Sequence, residues 1–390
     1  MRMMTVITAI ALTATPLLPQ TAQTRYVNLS FSGLFSAGGA TVSGADLLAL
    51  QSGAHDPRVT GFTVQNLELS LTGAIDPFLN GEVHLIFQID AEGESLLEVE
   101  EAFLTTRSMP LGLQVRAGTF FTGFGRLNPQ HPHSWSYVDQ PLVNNRFMGG
   151  DGLRGPGGRI SWLTPLPWYS ELTGGLQNAN GETAVSFLGS PEEELFLDRP
   201  LVEREAAGLA DLLKTVTWLN AFVPSANLAV NVGLSGLFGP NRTGPDGATT
   251  ILGADLFAKW QPPATDQGWP FVTLQFEGMW RQYDASANAE AGLPAATLED
   301  AGWYGQVQWG FKRGWIAGLR HGQVYASGGP ADGSADRSRW SANLSYYPSE
   351  FSKVRLQTNL DDGAFLDRDN IFGIWLQFEF LMGQHAGHKF

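Results

Sequence analysis

Cysteine is absent from the 390 residues, and charged residues make up only 16% of them. Without cysteine there are no disulfides, no thiolate ligands and no thiol nucleophile, which suits a chain exported through an oxidising compartment. The charged fraction lies well below the roughly 25% of a soluble domain. Lysine occurs only at Lys214, Lys259, Lys312, Lys353 and Lys389. The net charge of −14 argues against nucleic acid, because neutralising phosphates takes a surplus of Lys and Arg. No G-x-S-x-G, H-E-x-x-H or P-loop occurs, so neither an enzyme nor a cofactor is expected.

Long hydrophobic runs are also missing. The longest, Val6–Leu18, follows Arg2 and precedes small polar residues up to Ala22. It is shorter than the ~20 residues of a spanning helix, and 1–22 reads as a secretory signal peptide. Residues 23–383 then read as one barrel domain and 384–390 as a C-terminal tail.

What replaces apolar runs is alternation with period two, the mark of strands with one apolar face. Along Ile371–Met382, Phe372, Ile374, Leu376, Phe378, Phe380 and Met382 share one face, while Trp375, Gln377 and Glu379 share the other. In Phe271–Gln282, Val272, Leu274, Phe276 and Trp280 oppose Thr273, Gln275, Glu277 and Arg281. Lys353–Leu360 repeats the pattern. Such a face packs in a sandwich core or against lipid, and the connections decide between the two. Short turn-rich stretches fall at 76–81, 108–112, 164–168, 224–227, 261–270, 313–314 and 348–352. Longer polar ones fall between them at 37–60, 91–97, 122–153, 178–211, 239–248, 284–300, 326–337 and 362–369. Seven short turns alternating with eight long loops imply sixteen strands. The expected fold is therefore all-β, a transmembrane antiparallel up-and-down barrel in a bacterial outer membrane. Trp168, Trp260, Trp269 and Trp315 sit beside short turns, where an aromatic girdle would lie. Leu201–Leu213 has helical spacing and predicts a short surface helix.

The third long stretch, 122–153, carries Trp135, Tyr137, Phe147 and several arginines. Connections this long are usually functional or disordered, and its aromatic content suits a loop folded inward to narrow a pore. Gly123, Gly125, Gly149 and Gly150 let it bend and approach the wall closely.

Val99–Gly125 resembles the phosphate-selective porins, porins O and P. The resemblance rests on Glu101, Ala102 and Phe103, followed by Gly118, Phe120, Phe124 and Gly125. It implies a sixteen-stranded passive channel constricted by its third loop. The lysine cluster credited with phosphate selectivity in that family has no counterpart in five scattered lysines. The histidines near the C-terminus give a weaker similarity to zinc-regulated outer-membrane receptors. A plugged, energy-coupled receptor needs about 22 strands, more than this chain supplies.

Alternation turns Arg116, Arg159, Lys259, Arg281, Arg320, Lys312, Lys353 and Arg355 toward the lumen, with Glu68, Glu82, Asp90, Glu98, Glu100, Asp255, Glu277 and Glu379. The candidate constriction comprises Arg116, Arg126, Arg146, Arg154 and Arg159 as one positive patch, opposed by Asp139 and Asp151. Candidate metal ligands are His131 and His133, and His385 and His388, each pair too few for a site alone. The pairs fall on opposite sides of the membrane by the strand count. The reading is a porin for small hydrophilic solutes or ions, with anion preference left open. A metal-related uptake or receptor protein and a non-conducting structural or adhesive barrel are the alternatives. Expected partners are outer-membrane lipid and lipopolysaccharide, the barrel assembly machinery, small solutes or ions, and further copies in a homotrimer.

Overall fold

The computed structural model describes residues 27–89, 93–325 and 335–383. The expected signal peptide, the tail with His385 and His388, and Asp90 lie outside these residues.

The strands are β1 (Val27–Ala40), β2 (Gly61–Ala74), β3 (Leu79–Ile89), β4 (Ser95–Thr106), β5 (Leu113–Phe121), β6 (Arg154–Leu163) and β7 (Tyr169–Gln177). A two-residue pair, β8 (Leu195–Phe196) and β9 (Arg199–Pro200), stands apart in the fourth long loop. There follow β10 (Leu213–Ser225), β11 (Leu228–Pro240), β12 (Ala248–Trp260), β13 (Phe271–Ala285), β14 (Ala296–Lys312), β15 (Trp315–Tyr325), β16 (Arg337–Ser349), β17 (Ser352–Asp361) and β18 (Ile371–Gly383). Two short helices, α1 (Ala45–Leu50) and α2 (Leu142–Met148), lie in the first and third long loops.

Each barrel strand pairs antiparallel with its neighbours, and β1 closes on β18 from Ser30↔Gly383 to Ala40↔Gly373. The result is a closed barrel of the sixteen expected strands, with no open edge. Its polarity is the reverse of a soluble domain's. On β18, Phe372, Ile374, Leu376, Phe378 and Met382 are exposed, whereas Gln377 and Glu379 are 2% and 0% exposed. β13 and β17 behave alike, with Leu274 and Leu356 outward and Glu277, Arg281, Lys353 and Arg355 enclosed. Exposed Leu, Phe and Ile side chains favour an apolar surrounding at roughly 25 cal/mol per Å².

The aromatic girdle needs one correction. Trp168 and Trp260 are exposed, but Trp269 is buried against Phe271 and Ile316. The 261–270 turn is long enough to fold its tryptophan back onto the sheet. The helix expected over Leu201–Leu213 does not form, leaving one 3-10 turn at Leu209–Asp211. Val202 N donates to Arg242 O at 2.7 Å, and Arg204 donates to the carbonyls of Asn241, Gly244 and Gly247. Those bonds to the next loop displace the helical ones.

The third long loop finds its partners on the enclosed faces of many strands. Gly125 N donates to Ser235 Oγ of β11, and Leu127 N approaches Glu277 of β13. His133 and Trp135 offer carbonyls to Lys353 and Arg355 of β17. α2 packs on β13, β14, β15 and β16. Phe124, Val143, Phe147 and Met148 then share one apolar cluster with Ala184, Phe187 and Leu188 of the fourth loop. Leu237, Ile251, Met279 and Val324 join it from the barrel wall. Polar alternation therefore gives way to apolar residues where the loops pack.

Candidate constriction and a histidine–glutamate cluster

Arg116 and Arg159 are register partners across β5 and β6. Aromatic faces carry both guanidinium groups, Arg116 at 3.8 Å from the Phe103 centroid and Arg159 at 5.7 Å from that of Phe120. Arg126 reaches across to β12 and stacks on Phe257 at 3.8 Å. The other expected members of the positive patch go elsewhere. Arg146 donates to Tyr325 O and Ala335 O, tying α2 to the end of β15. Arg154 pairs with Glu98 and Asp151. A single five-arginine patch is thus not formed, because a loop that tours the wall meets carboxylates that pair with Arg154 and carbonyls that accept from Arg146.

Asp139 of the third long loop is heavily bonded. Its carboxylate accepts from Arg320 of β15, from Arg339 of β16 at 2.9 Å, and from Gln357 and Asn359 of β17 at 2.9 and 2.6 Å. Burial opposes its charge, but Arg320 and Arg339 outweigh that and hold its pKa down at about 2. Asp151 sits between Arg154 and His55 of the first long loop, whose Nε2 lies 2.9 Å from it. Burial disfavours charge on both, yet the hydrogen bond between them takes His55 up to about 9 and Asp151 down to about 2.

On β2–β4 stands an assembly of histidines and glutamates. Glu68 Oε1 lies 3.0 Å from His84 Nδ1, and Glu68 Oε2 lies 3.2 Å from His133 Nδ1 and 3.4 Å from His131 Nδ1. Glu100 Oε2 is 2.8 Å from His131 Nδ1, and Glu101 Oε2 is 3.0 Å from His131 Nε2. Glu100 and Glu101 both face inward because the register slips by one residue opposite His84 and Leu85. That β-bulge brings two consecutive carboxylates to one face. Sequence reasoning found His131, His133, Glu68 and Glu100 but not His84. The signal was present, since His84 stands two residues beyond Glu82 and shares its face.

No family model matches the chain. An uncharacterised protein of Aquifex aeolicus (strain VF5) is 30% identical over 347 residues, covering 85% of this chain and 70% of that one. The chain belongs to that protein's family. This member of the Aquifex family also has the fold of solved outer-membrane proteins. The outer-membrane channel DcaP of Acinetobacter baumannii superposes with a TM-score of 0.58 at 12% identity, over 91% of this chain and 97% of that one. An anion-selective porin from Comamonas acidovorans gives 0.55 at 10% identity, over 92% and 100%. OmpT of Vibrio cholerae gives 0.52 at 9%, over 93% and 99%. At such identities the likeness establishes the porin-type barrel and nothing finer.

Proposed function

We propose that this protein is a bacterial outer-membrane porin passing small hydrophilic solutes or ions by diffusion. The observation that carries the reading is the inverted polarity of a closed sheet, with aliphatic and aromatic side chains outside and charged ones within. In hydrocarbon only a closed barrel satisfies every strand N–H and C=O, and a polar interior then suits water and ions rather than lipid. Lipid and lipopolysaccharide would surround the belt, and the barrel assembly machinery would insert it. A homotrimer belongs to the proposal too, with support from OmpT of Vibrio cholerae, which has a trimer form.

The third long loop is the proposed constriction. Its bonds to the enclosed faces of β11, β13 and β15–β17 support this. Arg146, Arg154, Asp139 and Asp151 are committed to local partners, which narrows the proposed selectivity group to Arg116, Arg126 and Arg159. Each of these is half-buried, Arg126 on the loop itself and Arg116 and Arg159 on inward strand faces, as are Lys259, Glu82 and Glu171. The proposed anion preference rests on Arg116, Arg126 and Arg159 standing at the narrow point, with Glu82, Glu101 and Glu171 facing Arg116 and Arg159, and Asp255 and Glu277 facing Arg126. Phosphate in particular has no support, given how few lysines there are.

Single-channel recording in planar bilayers tests the reading. Steady ohmic conductance is expected, rising when residues 129–145 are deleted. Correct insertion without conductance would overturn it in favour of a non-conducting structural or adhesive barrel.

A further inference from the structure

The geometry points to a binding site for one divalent transition-metal ion of the zinc class, held by Glu68 of β2, His84 of β3 and His131 of the third long loop. One ligand atom from each of the three lies within 4.8 Å of the others. Each imidazole faces its own oxygen of the Glu68 carboxylate, His84 Nδ1 at 3.0 Å from Oε1 and His131 Nδ1 at 3.4 Å from Oε2; a bound ion would displace the proton that His84 shares with Glu68 and Ser70.

Two atoms in this cluster lack an ordinary partner. Glu100 Oε2 and His131 Nδ1 are buried and make no hydrogen bond, although they stand 2.8 Å apart. Glu100 is 1% exposed. A buried carboxylate oxygen and imidazole nitrogen converging off the hydrogen-bond axis are what a shared cation would satisfy. Glu100 thereby supplies a fourth donor.

The surroundings match those of metal-bound histidine. Glu101 Oε2 takes the far nitrogen of His131 at 3.0 Å, which keeps the proton on Nε2 and frees the Nδ1 lone pair. Ser70 Oγ donates to Glu68 at 2.7 Å and orients that carboxylate. Two imidazoles with carboxylates select zinc, nickel or copper over magnesium or calcium, which prefer oxygen alone.

The neighbouring group of His55, Glu100 and Asp151 is not a second site. Asp151 is already neutralised by Arg154, whose guanidinium would repel a cation there, and Glu100 is claimed by the site above. Binding needs only the folded barrel, so it stands apart from whether the channel conducts. An ion here would fasten the third loop to β2 and β3.

The test uses the full mature chain in detergent, stripped with a chelator and titrated calorimetrically with Zn²⁺ and, separately, Mg²⁺. One Zn²⁺ per chain is expected, with no Mg²⁺ heat. Glu101→Gln should weaken Zn²⁺ about 10- to 100-fold, as for removal of an outer carboxylate, and His131→Ala should weaken it further. Co²⁺ bound in place of Zn²⁺ should show visible absorption bands that vanish in His84→Gln. His385→Ala/His388→Ala controls for the tail. Binding lost in that control but kept in His131→Ala and His84→Gln overturns the assignment, as does a stripped wild-type chain that takes up no Zn²⁺.

Discussion

Arg116 and Arg159 stand directly opposite each other on adjacent strands, with aromatic rings beneath them and, among the described residues, no carboxylate in ion-pair contact. Like charges directly opposite in a sheet are unfavourable, and the rings of Phe103 and Phe120 offset part of that cost. Arg116→Glu should shift the reversal potential in a salt gradient toward cations, and Arg159→Glu should do the same. Identical reversal potentials in both variants would show that neither guanidinium controls permeation.

Gly125 marks where the third loop presses on the far wall. Its φ is +57°, and a Cβ there would lie 1.8 Å from Glu277 Oε1. Glu277 in turn accepts from Tyr304 Oη at 3.0 Å, so it cannot withdraw without breaking a buried bond. Gly125→Ala should therefore destabilise the barrel by about 2–3 kcal/mol through backbone strain and displacement of Glu277. The denaturant midpoint in lipid vesicles measures this. An unchanged midpoint would mean that the loop is not anchored at Gly125.

The barrel was legible in the sequence because its signals are local. Period-two alternation and turn residues at Asp76–Gly81 or Arg313–Gly314 depend only on near neighbours. The path of the third loop is a different matter. Asp139 and Arg339 meet across 200 residues, and nothing periodic in 122–153 announces which wall each side chain reaches. The bulge at Glu100 is equally silent, since alternation alone would send Glu101 outward. His84, by contrast, could have been read from the face it shares with Glu82, and its omission was avoidable. Trp269 and the 201–213 segment misled because position beside a turn and helical spacing ignore what the neighbouring loops offer.

Asp139 latches the loop to β15, β16 and β17. Asp139→Ala would leave Arg320 and Arg339 short of their shared carboxylate, although Arg339 retains Asp361 at 2.7 Å. Removing one partner of a buried pair costs about 3–5 kcal/mol. Global unfolding should show that loss unless the loop detaches first, in which case single-channel records turn noisy and their mean conductance rises. Because the folded pKa of about 2 lies below the ordinary 3.8, the latch is complete above about pH 4 and weakens as pH falls toward 2. A variant that is as stable and as quiet as the wild type would remove Asp139 from this role.

His55 and Asp151 give the opposite limb. His55 in the first loop is raised from 6.5 to about 9, against the opposing effect of burial, by its bond to Asp151. A base whose folded pKa is raised contributes its full stabilisation below the unfolded pKa and loses it as pH climbs through the folded one. The contribution, about 3 kcal/mol from the size of the shift, should therefore disappear between pH 6.5 and 9. Asp151, lowered to about 2, sets the acid limit, so the pair is strongest from about pH 4 to 6.5. Beside it, Ala54 N donates to Gly150 O at 2.9 Å and joins the first loop to the third. Hydrogen-exchange protection of Ala54, corrected for intrinsic rate, should fall about 100-fold across pH 6.5–9 in the wild type. In His55→Gln it should start lower and stay flat over that range. Equal slopes in the two proteins would assign the pH dependence to another group and leave the His55–Asp151 pair without a role in holding the loops together.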